Sequence, residues 1–269
     1  MKNRKVGIIG SGFMASIHAA AWLSLNVDLT AVLLRCEQSD DSLASVPARR
    51  FTDLAAFLDA VDVVDVCTPT HLHAVFARAA AAAGKPTICE KPLVLDSAEG
   101  VGLVETFAAA GIPLFVAHVL RFGREYAAIR DVVSVGGIGV PAVVRLSRLS
   151  FAPKRAQGSW FADPAKSGGI EFDLMIHDLD YARWIAGEVA SVYSKSTSGG
   201  DGHAITVLTH RSGAISHVEG SWSNPAPVFR EIVEITGSTG VIGFCSDDTA
   251  PVTIRLHRGS EEISTGLDE

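Results

Sequence analysis

The chain has 269 residues, 48% of them hydrophobic and 20% charged, with a formal net charge of -7 at pH 7. That length predicts two moderate domains with ample apolar material for their cores, and the acidic balance argues against a nucleic-acid or anionic-membrane partner. Four widely spaced cysteines, Cys36, Cys67, Cys89 and Cys245, form no C-x-x-C pair, so a reduced, cytoplasmic setting is expected. No run is long enough to span a membrane, and the basic start at Met1 to Lys5 leads into Gly10, Ser11 and Gly12, which reads as strand and turn and not as a signal peptide.

In chain order, short β-rich runs alternate with alanine-rich helical stretches. Val6 to Ile9 precedes a helix over Met14 to Leu25, and Leu29 to Leu34 forms a second strand. Asp53 to Leu58 reads as a helix that Thr52 or Asp53 caps. Val61 to Cys67 leads into a helix over His71 to Ala83, Pro86 to Cys89 into one over Ser97 to Ala110 with Ser97 at its start, and Leu114 to Ala117 follows. This alternation predicts βαβ units and a parallel sheet over residues 1–119. From 120 to 269 the texture changes to longer strand patterns with hairpin-like turns at Arg211-Ser212-Gly213 and Gly237-Ser238-Thr239-Gly240. Only two helices are expected there, Tyr126 to Val133 and Phe172 to Ile185, so the second domain reads as α+β with a mostly antiparallel open sheet.

Gly10-Ser11-Gly12-Phe13-Met14-Ala15 lies between a predicted strand and a predicted helix and fits G-x-G-x-x-G/A. Gly10 permits the tight turn, Gly12 lets a pyrophosphate approach the backbone, and Ala15 lets the helix pack closely on the strand. The residue that reads the adenosine ribose stands about 20 residues farther on and is acidic in NAD sites. Here that strand ends in Leu34 and Arg35, and a guanidinium suits a 2′-phosphate, which favours NADP over NAD. Glu37 reaching a ribose, or Arg35 as a solvated loop charge, are the alternatives.

Thr68 and Pro69 end the third major strand and can line the same cleft. His71 and His73 start the helix that follows, and with no third ligand-type residue nearby no metal site is expected. Glu90-Lys91-Pro92 closes another strand, and Pro92 biases Lys91 toward an extended conformation. A lysine there is either a surface charge or an ammonium aimed at a substrate oxygen. Asp173 and His177, four apart, share a helix face, either as a plain surface pair or as a carboxylate that orients a basic imidazole.

Together these residues resemble the Gfo/Idh/MocA oxidoreductases. The likeness runs from Val6 through the glycine turn, Thr68-Pro69, Ala83-Gly84-Lys85-Pro86, Glu90-Lys91-Pro92, Arg121-Phe122 and Ser167-Gly168-Gly169 to Asp173 and His177, and less specifically through His217 to Trp222. It implies an N-terminal Rossmann domain holding NADP or NAD and a C-terminal α/β domain whose open sheet covers the nicotinamide and forms a homo-oligomer. The second domain would be shorter than in many relatives, since the chain stops at Glu269.

The resemblance implies hydride transfer between nicotinamide and a secondary alcohol or ketone of a sugar, cyclitol or similar small polar substrate. It carries catalysis to Lys91, Asp173 and His177. Cofactor contacts fall to Gly10, Ser11, Gly12, Phe13, Met14, Arg35, Thr68, Pro69, His73, Glu90 and Lys91. Substrate contacts fall to Lys91, His118, Arg121, Trp160, Asp173 and His177, with Trp160 and Phe161 serving equally well as core residues. The competing reading is a non-catalytic NADP(H)-binding regulatory or redox-sensing protein.

Overall fold

A computed structural model describes residues 4–36, 42–153, 159–197, 202–248, 252–256 and 259–261. The chain divides into two compact units, one of Met1–Ala117 with Gly158–Ser167, the other of His118–Gln157 with Gly168–Glu269.

The first unit begins with β1 (Lys5–Ile9), α1 (Phe13–Ser24), β2 (Asp28–Leu33), β3 (Arg49–Phe51) and α2 (Leu54–Ala60). It continues with β4 (Val63–Val66), α3 (His73–Ala82), β5 (Thr87–Cys89), α4 (Ser97–Ala110) and β6 (Leu114–Val116). All six strands are parallel, in the order β3-β2-β1-β4-β5-β6. The chain works outward from β1 on one side and then from β4 on the other, so the crevice at their carboxyl ends is the switch point where such sheets bind ligands.

Both sheet faces are covered. Val6, Ile8, Ala15, Ala19 and Val32 pack on the α1 side, while Ile9, Leu33, Phe57, Val64 and Val66 pack on the other. Burial on two faces explains why these strands read as continuous apolar runs, each large side chain contributing roughly 1.5–3 kcal/mol. Asp53 Oδ1 accepts the Ala56 N–H at 2.8 Å and so caps α2. Asp96, one residue before the expected Ser97, caps α4 by accepting the Glu99 N–H at 2.8 Å. The ribbon β3 carries Arg49 and Arg50 and has no apolar signature of its own.

The second unit opens with α5 (Arg124–Ser134) and β7 (Pro141–Ser150). A short α6 (Pro164–Ser167) belongs to the first unit, after which α7 (Gly169–Asp173), α8 (Ile176–Ala186), β8 (Val189–Ser196), β9 (His203–His210) and β10 (Ile215–Ser221) follow. The remaining strands are β11 (Phe229–Gly237), β12 (Gly240–Cys245), β13 (Thr253–Leu256) and β14 (Gly259–Glu261). They form an eight-stranded sheet, β14-β13-β12-β11-β7-β10-β9-β8, antiparallel except where β10 runs parallel to β7. Val144, Leu146, Arg148 and Ser150 alternate with more exposed residues along β7, the mark of a sheet with one covered face.

The single helix expected over Phe172 to Ile185 is two. Met175 N–H closes on Ile170 O at 3.0 Å, one residue wider than an α-helical turn, and this separates α7 from α8. Behind the break, Tyr181 is fully buried and its hydroxyl donates to Tyr126 O at 2.9 Å, so its role is packing.

Candidate functional site

Four strand ends, those of β2, β1, β4 and β5, meet at the carboxyl edge of the parallel sheet, because Gly10 N–H bonds to Leu33 O, Cys67 N–H to Ile9 O, and Glu90 N–H to Val66 O. Gly10 has φ +117°, and a Cβ there would stand 2.5 Å from Cys67 O, so no other residue fits the turn. Gly12 is the opposite case: nothing lies within 4 Å of where its Cβ would be, which leaves its backbone open to a ligand. It precedes α1, whose N-terminus has no capping side chain and no acid in the first turn. The Phe13 and Met14 side chains point outward, leaving an uncapped, positive helix end.

At the end of β4 the Thr68 hydroxyl is buried without a hydrogen-bond partner among the described residues. A buried hydroxyl costs free energy until something bonds it. An open glycine backbone, an uncapped helix end and an orphan hydroxyl, all at the switch point, fit a dinucleotide. Leu34 is buried where an acid would meet the ribose, Arg35 is exposed one residue on, and Glu37 lies outside the described residues. A separate cavity of about 350 Å³, lined by Arg4, Val6, Trp22 and Val63 among others, opens at the amino ends of β1 and β4 and so is not this cleft.

Two residues expected to touch the cofactor are turned elsewhere. His73 is 1% exposed, and its ring bridges Pro92 O (2.8 Å) and Thr68 O (2.9 Å), so it ties two strand-end loops together. Burial lowers its pKa against the pull of those carbonyls. The Glu90 carboxylate points inward as well, accepting the Lys91 N–H at 3.0 Å and meeting His18 Nε2 at 3.0 Å. Lys91 itself is half-buried.

His18 was not expected. Its Nδ1 lies 3.0 Å from both oxygens of Asp65, a fully buried residue in the middle of β4. Trp22 Nε1 donates to the same carboxylate at 2.7 Å and Cys67 Sγ at 3.6 Å. Asp65 first, then Glu90, raise the His18 pKa from its usual 6.5 to about 10 despite burial. Two signals were present in the sequence: an aspartate inside the run Val63-Val64-Asp65-Val66, and a histidine in the stripe Ala15-His18-Ala19-Trp22 that α1 turns to the sheet. His18, Asp65 and Cys67 bring ligand-type atoms within 4.8 Å of one another. Because the imidazole donates from both nitrogens and burial raises the Cys67 thiol pKa, a metal ion would have to displace protons from both.

In the second unit, Asp173 ends α7 and His177 is the second residue of α8, both half-buried, in successive helices and not on one. Arg121 grips Asp180 through Nε (2.8 Å) and Nη2 (2.7 Å), and this pairing raises its pKa. His118 Nδ1 stands 3.8 Å from the same carboxylate. Arg121 therefore has part of its donor fork committed to the protein, a use that sequence spacing does not reveal. Trp160, in the first unit, meets Phe161 edge-on at 5.3 Å and the His71 ring at 6.2 Å.

Comparison with known proteins gives this arrangement a family. Residues 4–118 match the oxidoreductase family with an NAD-binding Rossmann fold, and residues 126–243 match the GFO/IDH/MocA C-terminal domain. The chain is 30% identical to a myo-inositol 2-dehydrogenase of Thermotoga maritima over 94% of its own length and 78% of that protein's. It is 29% identical to a D-apiose dehydrogenase of Paraburkholderia graminis, over 92% and 69%. A solved levoglucosan dehydrogenase in complex with NADH shares its fold, with a TM-score of 0.87 at 24% identity, over 98% of this chain and 81% of that one. The chain belongs to the Gfo/Idh/MocA family of oxidoreductases, with an NAD-binding Rossmann domain followed by that family's C-terminal domain.

Proposed function

We propose that this oxidoreductase interconverts a secondary alcohol and a ketone on a sugar, a cyclitol or a similar small polar molecule. The observation that carries the reading is the open, uncapped glycine turn beside the Thr68 hydroxyl, in a chain whose relatives are named as dehydrogenases of apiose, inositol and levoglucosan. When bound, the nicotinamide supplies the hydride acceptor or donor. The side chains supply the rest. His177 takes the hydroxyl proton as the carbinol C–H bond breaks, and returns it in the reverse direction. The Lys91 ammonium donates to the same oxygen and stabilises its alkoxide character. Asp173 orients the imidazole, and His118 and Trp160 contact the substrate.

Of the two dinucleotides, NADP is the proposed partner, because Arg35 offers a guanidinium where Leu34 denies the ribose an acid. We also propose self-association through the open face of the eight-stranded sheet, where register puts Tyr193, Ile205 and Ile215 on one side, all exposed. Light scattering on wild type and Ile205→Asp tests that part.

The test of the activity is a panel of myo-inositol, D-apiose, levoglucosan and other polyols with each dinucleotide, followed at the nicotinamide absorbance. Turnover on at least one is expected, with Lys91→Ala and His177→Ala each losing about 10²-fold or more. Unchanged turnover in both variants would sink the assignment.

A further inference from the structure

Three ionisable side chains of the first unit have no part in that chemistry: His18 on α1, Asp65 in β4 and Glu90 at the end of β5. Carboxylates only accept, so an imidazole with Asp65 at Nδ1 and Glu90 at Nε2, each at 3.0 Å, donates from both nitrogens. The groups around it are accounted for: Trp22 and Cys67 donate to Asp65, and the second Glu90 oxygen takes the Lys91 N–H. A continuous path of hydrogen bonds thus runs from the helix that opens at Gly12 to the peptide from which the Lys91 side chain springs. On the far side, His73 holds Pro92 O.

Such a network gives little stability over an apolar core of the same volume, because desolvation of its charges offsets most of their attraction. What it gives is geometry, and a misplacement of about 1 Å at a reacting group costs on the order of 10²-fold in rate.

We propose that His18 is a positioning residue that, through Glu90, holds the Lys91 turn and the dinucleotide-binding helix in one frame. The inference rests on the reading of Lys91 as the oxygen-binding group. His18 touches neither substrate nor cofactor; its effect passes through Glu90. Glutamine at position 90 has an oxygen for the Lys91 N–H and an amide N–H for a neutral His18, whereas alanine has neither.

The experiment compares wild type, His18→Gln, Glu90→Gln, Glu90→Ala and Lys91→Ala. NADH and NADPH affinities come from fluorescence titration, and shielding of Lys91 by NADPH from acetic anhydride from peptide mass spectrometry. Turnover uses the best sugar of the panel. In His18→Gln the dinucleotide affinity is expected to change less than about threefold. Shielding of Lys91 should fall by about threefold or more and kcat by about tenfold or more, with KM little moved. Glu90→Gln should retain clearly more kcat than Glu90→Ala. Wild-type shielding and kcat in His18→Gln overturn the inference. If that variant does not fold, equal kcat in Glu90→Gln and Glu90→Ala overturns it instead. Wild-type turnover in Lys91→Ala overturns the separate reading of Lys91.

Discussion

Arg148 and Asp178 form a two-pronged ion pair inside the second unit, Nε to Oδ2 at 2.7 Å and Nη2 to Oδ1 at 3.2 Å, with both side chains almost wholly buried. Tyr126 OH accepts a further N–H of the same guanidinium at 3.0 Å, and Glu231 takes another. Burial opposes the Arg148 charge, but the Asp178 carboxylate outweighs it and holds the group protonated. The pair fastens α8, next to His177, onto β7. Removing Asp178 leaves the buried Arg148 charge with only Glu231 opposite it, so Asp178→Ala is expected to lower the unfolding free energy by about 3 kcal/mol. The double variant Arg148→Met/Asp178→Leu should recover much of that loss. Urea unfolding of the three proteins checks both outcomes.

Gly10 and Gly12 should fail in different ways. At Gly10 an added methyl meets Cys67 O in a left-handed backbone, so Gly10→Ala is expected to destabilise the fold by roughly 1–3 kcal/mol. At Gly12 the methyl enters open space, so Gly12→Ala should unfold like wild type yet bind dinucleotide about tenfold more weakly, a difference of about 1.4 kcal/mol. Thermal unfolding and fluorescence titration separate the two. Equal affinity in wild type and Gly12→Ala would remove the pyrophosphate from this turn.

The contrast between those glycines also shows what a sequence carries. Strand-turn-helix order and apolar runs are local, and a parallel sheet buried on both faces writes them plainly in Val6 to Ile9 and Val63 to Val66. What was not legible depends on partners far away along the chain. His18 pairs with residues 47 and 72 positions on, and neither distance follows from helix or strand period. Arg121 pairs with Asp180 across 59 positions, which commits two of its guanidinium nitrogens, Nε and Nη2, to the protein. The break between Asp173 and His177 was hidden for the opposite reason. A single hydrogen bond widened by one residue splits a helix without changing its apolar pattern.

His18 makes stability depend on pH with a definite sign. Its pKa in the fold is about 10, above the ordinary 6.5, so its contribution is complete below about pH 6.5 and fades as the pH rises through about 10. The stability gap between wild type and His18→Gln should therefore narrow across that window. Urea midpoints at several pH values measure it. A gap that stays constant or widens would mean the ring is not protonated in the fold.

The thiols should divide by reactivity. Burial, then the Asp65 charge, pushes the Cys67 pKa well up, and burial, then Glu90, does the same to Cys89, so neither offers a thiolate near neutral pH. Cys36 and Cys245 are only partly buried. Iodoacetamide is expected to modify Cys36 and Cys245 in the native protein and all four cysteines only after unfolding, as read by peptide mass spectrometry. Early modification of Cys89 would show that the end of β5 opens readily.

Arg35 gives the sharpest test of cofactor choice. It is exposed just past the end of β2, one residue after the buried Leu34, so among the described residues no acid stands at that step to repel a 2′-phosphate or accept from a 2′-hydroxyl. A guanidinium pairs with a phosphate through two hydrogen bonds, while an unphosphorylated ribose offers it no charge. Arg35→Ala should thus weaken NADP binding by about tenfold and leave NAD binding nearly unchanged. Since the pair would be solvent-exposed, the ratio of NADP to NAD affinity in wild type should also fall as salt is raised, and that of the variant should not. Titration of both dinucleotides at low and high salt distinguishes this from a general loss of affinity. An equal loss for NAD and NADP would assign Arg35 to the adenine face, and NAD would then stand as the physiological partner.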